Sequence, residues 1–192
     1  MADLTLESRP ALTGLSKLNL DGLAVSERLD VAIATLAVAP EKFAAADAVM
    51  LKEYGVALPP PGKRVSSELI SFVWTGPGAW LALAAGADDL DRELAKGLGA
   101  LASVTDASGG RAVLRLSGLR AIGVLARGLP LDLHPRVFKT GDAATTHCDH
   151  ITATIWRLDD EPTFELAVPR SYAESFAHWL AAAVASEAAA PL

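Results

Sequence analysis

The chain has 192 residues, of which 51% are hydrophobic, and its formal net charge is −6. Its 17 lysines and arginines are scattered, so the charge pattern does not favour nucleic-acid binding, and its one cysteine, Cys148, excludes an intrachain disulfide. With no signal peptide and no apolar run of the roughly 20 residues that a membrane span needs, the sequence predicts a soluble, cytoplasmic protein with one well-filled core.

The first half of the chain alternates strand and helix patterns. We predict an N-terminal arm over residues 1–27, a single domain over 28–186 and a C-terminal tail over 187–192. Within the domain, the apolar periodicity and the glycine and proline positions predict a first set of elements. These are a strand at 28–38, a helix at 40–54, a hairpin of strands 69–74 and 79–84, and a helix at 88–101.

The second half repeats this plan loosely. Ser108-Gly109-Gly110 predicts a tight hairpin turn between a strand that ends at Asp106 and a half-buried strand at 111–116, because glycine allows positive φ. Ser117 is expected to cap a helix at 118–127. Strands at 151–158 and 163–168 follow, and the last helix is predicted to begin at Pro169. The order of elements predicts an α+β fold of two ferredoxin-like halves, about 28–106 and 111–186.

Short motifs that would carry chemistry are weak in this sequence. His147, Cys148, Asp149 and His150 are close together, but neighbouring residues on a strand point to opposite faces and no further metal ligand is nearby. The acidic run 159–161 is typical of a solvated turn before a proline. Gly76-Pro77-Gly78 has only the first spacing of a dinucleotide motif. We therefore predict no catalytic, cofactor-binding or metal-binding residue in this chain.

Histidine and tryptophan positions leave alternatives open. His134, between Leu133 and Pro135, is either a ligand or partner contact, or a residue whose ring nitrogens satisfy backbone groups at a bend, and we favour the second. The tryptophans at 74, 80, 156 and 179 occupy apolar-patterned positions typical of a core. One or two of them could instead serve an interface, where tryptophan is over-represented.

Three runs of sequence, 104–108, 110–118 and 128–136, resemble the gamma subunit of heterotetrameric sarcosine oxidase. The run Pro-Leu-Asp-Leu-His-Pro at 130–135 is the most specific part of this resemblance, and 156–158, 164–166 and 168–172 add to it. Two positions depart from the family pattern: Leu119 replaces a common proline, and Leu129 replaces a frequent cysteine. The resemblance covers residues 69–184, and neither departure falls on a position that carries chemistry.

The resemblance implies a fold like the N-terminal folate-binding domain of the glycine-cleavage T-protein. It also implies a non-catalytic gamma subunit in an enzyme that oxidatively demethylates sarcosine to glycine, releases H2O2 and passes the one-carbon unit to tetrahydrofolate. The partner alpha, beta and delta subunits would carry FAD, FMN, NAD, tetrahydrofolate and zinc. Since an isolated subunit should expose apolar surface, we predict partner contacts at Leu131, His134, Arg136 and Phe138.

Two other functions compete with this one. A free-standing folate-binding or aminomethyl-transferring protein would need a buried carboxylate to pair with the pterin, and the candidates are Asp30, Asp106 and Asp132. A metal-dependent hydrolase using His147, Cys148 and His150 ranks lowest. Neither nucleic acid nor a membrane is an expected partner.

Overall fold

The computed structural model describes residues 9–12 and 14–189, which form two antiparallel β-sheets with helices on their outer faces. Residues 1–8 and 13 of the predicted arm, and residues 190–192 of the predicted tail, lie outside the described part. The described strands are β1 (Ala24–Glu27), β2 (Val31–Val38), β3 (Arg64–Ser66), β4 (Ser71–Gly76), β5 (Ala79–Ala85), β6 (Ala102–Asp106), β7 (Arg111–Ser117), β8 (Ala143–Cys148), β9 (Ile151–Arg157) and β10 (Thr163–Pro169). The described α-helices are α1 (Phe43–Tyr54), α2 (Leu90–Leu98), α3 (Ala121–Ala126) and α4 (Ala173–Ala188).

The two sheets have equivalent strand orders. The first sheet runs β3-β4-β5-β2-β6, and the second runs β8-β9-β10-β7-β1. In the first sheet, β2-α1-β4-β5-α2-β6 is a ferredoxin-like unit with β3 added at one edge. In the second, β1 comes from the N-terminal side and occupies the place that β6 takes in the first. The prediction of two ferredoxin-like halves is confirmed, although the three edge strands Ala24–Glu27, Arg64–Ser66 and Ala143–Cys148 were not predicted.

The sheets pack face to face, and this arrangement gives the molecule four layers. Alternate residues of each central strand point to opposite sides. In β5, Trp80 and Ala82 pack with α1 and α2, whereas Leu81 and Leu83 meet the second sheet. In β10, the side that carries Phe164 packs with α3 and α4. The core therefore has three parts: one under each helical layer and one between the sheets.

The turn at 108–110 does not form the predicted hairpin. Strand β6 pairs with β2 in the first sheet, whereas β7 pairs with β1 and β10 in the second, so the turn carries the chain from one sheet to the other. Positive φ is not observed at Gly109 or Gly110. The prediction that β7 is half-buried is also wrong, because Val113 is buried between the sheets while Leu114 faces the helices.

All four described α-helices begin two to four residues later than predicted, and in the second half the sheet is the cause. Helix α3 begins at Ala121, and Ser117 makes no capping hydrogen bond, because it still pairs with Ala24 and Thr163 in the sheet. Leu119, which was within the predicted helix, precedes α3 and is 78% exposed. Helix α4 begins at Ala173, because Pro169 is extended and pairs with Arg111 at the end of β10. A 3-10 turn, Arg170–Tyr172, separates β10 from α4.

A close contact at Gly118 fixes the entry to α3. Gly118 has φ +111°, and a Cβ atom there would overlap the carbonyl group of Gly22. We expect Gly118→Ala to lower the free energy of unfolding by about 2–3 kcal/mol, measured by urea denaturation. Gly55→Ala is the matched control, since Gly55 also has positive φ but faces open space. Equal losses in the two variants would show that backbone strain alone, and not the contact with Gly22, limits position 118.

Candidate functional site

A polar row crosses the second sheet on the face that meets the first sheet. Glu165 in β10 lies opposite Arg115 in β7 and opposite Trp156 in β9. Its Oε1 accepts hydrogen bonds from Arg115 Nη2 at 2.7 Å and Nε at 3.1 Å, and its Oε2 accepts one from Trp156 Nε1 at 3.0 Å. Strand register therefore determines this cluster, because each partner occupies the position directly across from Glu165.

A second guanidinium joins the cluster from the end of β1. Arg28 Nη1 donates to Glu165 Oε1 at 2.7 Å, and Arg28 Nε donates to Asp30 Oδ1 at 2.9 Å. The hydrogen bond between Arg28 and Asp30 is the main reason that the pKa of Asp30 is lowered and that of Arg28 is raised. Glu165 is only 4% exposed, so two guanidiniums and an indole N–H compensate for the burial of its charge.

The cluster forms one wall of a cleft of about 410 Å³, which we call the arginine cleft. This wall consists of Arg28, Arg115, Glu165 and Trp156. The opposite wall belongs to the first sheet and includes Arg64 of β3. Arg64 Nη2 donates to Ser71 Oγ at 2.7 Å, while its Nε is buried and has no acceptor among residues 9–12 and 14–189. Burial lowers the pKa of Arg64 from its ordinary value, and the charge of Glu165 opposes this shift.

Glu165 was missed in the sequence analysis, although a signal for it exists. It is the one charged residue in the apolar run 164–168. A charge in a strand that is otherwise apolar is expected to be buried, and a buried charge needs a partner. The acids that we considered instead are exposed and serve turns: Asp106 accepts from the Ser108 amide and Asp132 from the His134 amide, while Asp30 pairs with Arg28.

The segment predicted to contact partners forms a tight loop on the second half. Leu129 and Leu133 are buried, and Phe138, 8% exposed, packs against Phe164 with 6.3 Å between ring centroids. Leu131 is partly buried against the same core, whereas His134 and Arg136 are exposed. The alternating leucines of this specific motif therefore anchor the loop.

His134 makes the backbone contacts that our favoured interpretation requires. Its Nδ1 accepts a hydrogen bond from the Arg136 amide at 3.2 Å, and its carbonyl accepts from the amides of Val137 and Phe138. Its own amide donates to Asp132 Oδ1 at 3.0 Å. Val137, at 58% exposure, adds an apolar side chain to the outside of this loop. The loop thus presents an imidazole, a guanidinium and an isopropyl group to solvent.

The residues 147–150 form a hairpin rather than a cluster of ligands. Cys148 pairs with Ile151 across a turn at Asp149 and His150, and Asp149 has φ +54°. The thiol is buried, while the side chains of His147 and His150 are exposed. Across the described residues, no group of three His, Cys, Asp or Glu side chains is placed to hold a metal ion.

Cys148 should be unreactive in the folded chain. Burial, with a smaller contribution from the charge of Asp149, raises the pKa of its thiol to about 12. Because the thiolate is the nucleophile, we expect iodoacetamide at pH 8 to alkylate Cys148 only at the rate of unfolding. Mass spectrometry with and without urea measures this. Rapid labelling without urea, at the rate of a free thiol, would contradict the burial of this side chain.

The tryptophans divide between core and surface. Trp80 and Trp156 are buried, and Trp80 Nε1 donates to the Pro59 carbonyl at 2.9 Å. Trp74 and Trp179 are partly buried. Trp74 lines an apolar surface groove together with Phe43, Pro77 and the proline run 59–61. Trp80 and Trp156 are therefore core residues, whereas Trp74 and Trp179 both retain some exposed surface.

The acidic run 159–161 serves a structural turn. Arg157 lies buried beside it, and its guanidinium donates to the carbonyl groups of Asp159, Asp160 and Phe138 at 2.8–3.0 Å. Thr140 Oγ1 donates to the Asp160 carboxylate.

No helix within 9–12 and 14–189 combines the length and the apolar composition that crossing a bilayer requires.

Comparison with solved structures first identifies the fold. The glycine cleavage system aminomethyltransferase T from Bartonella henselae superposes with a TM-score of 0.60 at 18% identity, over 83% of this chain and 45% of that chain. At this level of sequence identity, the superposition shows that the two proteins share a fold and nothing more. The chain therefore has the α+β fold found in the T-protein, as predicted.

The family follows from the sequence match. The chain belongs to the sarcosine oxidase gamma subunit family, whose model matches residues 18–186. It is 38% identical over 129 residues to the sarcosine oxidase subunit gamma of Corynebacterium sp. (strain P-1), covering 66% of this chain and 63% of that relative. The corresponding Arthrobacter sp. protein is 35% identical over 140 residues, covering 71% of this chain and 68% of that one. The match therefore spans less than two thirds of the length of the Corynebacterium relative.

One chain of a solved assembly is similar in structure to nearly the whole of this chain. A chain of the heterotetrameric sarcosine oxidase from Corynebacterium sp. U-96, determined in complex with pyrrole 2-carboxylate, superposes with a TM-score of 0.84 at 28% identity. The superposition covers 96% of this chain and 98% of that chain. The predicted family resemblance is thus confirmed.

Proposed function

We propose that this chain is a non-catalytic gamma subunit of a heterotetrameric sarcosine oxidase. The observation that carries the proposal is the full-length similarity to a chain of the Corynebacterium sp. U-96 enzyme, which covers 98% of that chain. Similarity of this extent means that almost no part of the counterpart lacks an equivalent here. A chain with the same elements from end to end is suited to the same place in an assembly.

The reaction of the assembly would be the oxidative demethylation of sarcosine to glycine. H2O2 is released and the one-carbon unit passes to tetrahydrofolate. The alpha, beta and delta subunits would be the partners and would carry FAD, FMN, NAD, tetrahydrofolate and zinc, and the assembly would be cytoplasmic.

The chemistry of this chain supports a non-catalytic role. Cys148 is buried with a raised pKa, so it is not an activated nucleophile. Both oxygens of Glu165 already accept hydrogen bonds from side chains of this chain, so the carboxylate serves the buried cluster and is not held free as a general base. The same hydrogen bonds rank the folate-binding alternative lower, because a pterin would need a buried carboxylate that is not already paired with side chains of the chain.

The loop at 131–138 is the partner contact that we propose. Its exposed side chains, His134, Arg136 and Val137, combine charge and apolar surface, as interface residues do. Leu131 lies partly buried at its edge, and Phe138 supports it from the core. A partner that covers this loop would bury Val137 and pair Arg136 with an acidic group.

Copurification tests both the assembly and the loop. The tagged chain, recovered from its own cells grown on sarcosine, should bring down three other polypeptides and the visible absorption of flavin. We expect Arg136→Glu to reduce their recovery several-fold, whereas Arg92→Glu, an exposed change on α2, should not. Undiminished recovery with Arg136→Glu would exclude Arg136 from the interface, and a colourless solitary chain would refute the subunit assignment itself.

A further inference from the structure

We infer that the arginine cleft binds a small monocarboxylate that also carries an apolar group. This inference goes beyond the proposed role of the chain in assembly, because it assigns the chain a ligand of its own. It rests on the charge balance of the cleft and on the composition of its walls. Both can be tested on the full chain without partner subunits.

One of the three arginines of the cleft has no carboxylate within ion-pair distance among the described residues. Arg28 and Arg115 both pair with Glu165, and Arg28 also pairs with Asp30. Arg64 makes no ion pair with any described residue, and its polar contact is with the neutral Ser71 hydroxyl. Glu68 also lines the cleft, but it is exposed and forms no ion pair within the described chain.

The unpaired guanidinium indicates the charge of the ligand. Arginine stays protonated in proteins, so Arg64 carries a full positive charge in a partly desolvated place. A buried charge without a partner is unfavourable, and a carboxylate is the group whose geometry a guanidinium matches. One unpaired cation is balanced by one negative charge. A monocarboxylate therefore suits the cleft better than a phosphate dianion, which would leave excess negative charge beside Glu165.

The remaining walls indicate an apolar body for the ligand. Val31 and Leu83 line the cleft from the first sheet, and Leu158 and Trp156 line it from the second. Leu69 also lines it and is 65% exposed, so a ligand could cover apolar surface that is now in water. The volume of about 410 Å³ lies within the range of small-molecule sites.

Benzoate is a suitable probe, because it joins one carboxylate to an apolar ring. We would titrate the full chain with benzoate, benzamide, acetate and inorganic phosphate, and follow the Trp156 indole and Arg64 Nε–H signals by NMR. We expect saturable benzoate binding that shifts both signals, and binding at least about tenfold weaker for the neutral benzamide. Acetate, which lacks the ring, should also bind more weakly.

Arg64→Gln should weaken benzoate binding about tenfold or more, whereas Arg92→Gln, outside the cleft, should leave it unchanged. Arg64→Lys keeps the charge and should retain part of the affinity, which provides a second variant if the glutamine change disturbs β3. Absence of saturable benzoate binding to the unaltered chain would overturn the inference. So would equal binding of benzoate and benzamide, tighter binding of phosphate than of benzoate, or unchanged affinity in Arg64→Gln.

Discussion

Replacing Glu165 with leucine is expected to lower the free energy of unfolding by about 3–5 kcal/mol. The change leaves the guanidinium of Arg115 and the indole N–H of Trp156 without their acceptor, and it removes one of the two carboxylates that Arg28 contacts. Leucine suits the apolar surroundings of β10. The effect would therefore come from loss of the carboxylate that compensates the arginine charges, and not from loss of side-chain volume. Chemical denaturation followed by circular dichroism measures it.

Asp30→Asn is the matched control for this variant. Asp30 also accepts hydrogen bonds from Arg28, but its side chain is exposed, and exposed ion pairs contribute only about 0.2–1 kcal/mol. We expect a change within that range. If Glu165→Leu and Asp30→Asn destabilised the chain equally, or if Glu165→Leu were neutral, the buried cluster would not have the structural importance that its hydrogen bonds indicate.

Replacing Arg157 with methionine should destabilise the chain by about 3 kcal/mol or more. The buried guanidinium is the donor to three carbonyl groups, those of Phe138, Asp159 and Asp160, and it lies 6.0 Å from the centroid of the Phe164 ring. The Phe138 carbonyl would be left buried without a donor at a cost of about 1–3 kcal/mol, and each of the two partly buried hydrogen bonds to Asp159 and Asp160 contributes about 0.5–1.5 kcal/mol. Methionine retains most of the apolar stem, so thermal and urea unfolding would report mainly the lost hydrogen bonds.

Arg157→Lys provides an intermediate case, because an ammonium on a flexible stem cannot reach three carbonyl groups with the fixed geometry of a guanidinium. Arg136→Met, on the exposed side of the loop, should stay within about 0.5 kcal/mol of the unaltered chain. A methionine variant at 157 as stable as that surface variant would show that water replaces the guanidinium at no cost.

Local patterns predicted the elements whose signals lie within a few residues. The helix predicted to end at residue 54 does so, and Gly55 follows it in the left-handed conformation with φ 73°. The hairpin of β4 and β5 turns at Gly76-Pro77-Gly78, and the acidic turn before Pro162 joins β9 to β10. In each case the residues that determine the conformation are adjacent in sequence, so their chemistry is sufficient to predict it.

Elements that depend on distant partners were not predicted. Strand β1 is four residues long and is a strand because β7, about ninety positions later, offers a free edge. The turn at 108–110 has hairpin chemistry, but pairing of β6 with β2 directs the chain to the other sheet. A local turn signal cannot distinguish a hairpin from a crossing between sheets.

The residues of the arginine cleft could not be grouped from the sequence for the same reason. Glu165 stands out in its apolar strand, but its partners Arg115 and Arg28 are 50 and 137 residues away in sequence. Only the sheet register and the packing of one sheet on the other bring them together with Arg64. The predicted contact loop differs, since its exposed residues, His134 and Arg136, are neighbours in one motif whose leucines form the anchor.

Native mass spectrometry of the assembly recovered through this chain tests the central claim most directly. If the chain is a gamma subunit, the intact complex should contain one copy of this 20.0 kDa chain with three different polypeptides, and collisional release should identify each of them. A spectrum with only the free chain, or with copies of this chain alone, would contradict the assignment to a heterotetrameric sarcosine oxidase.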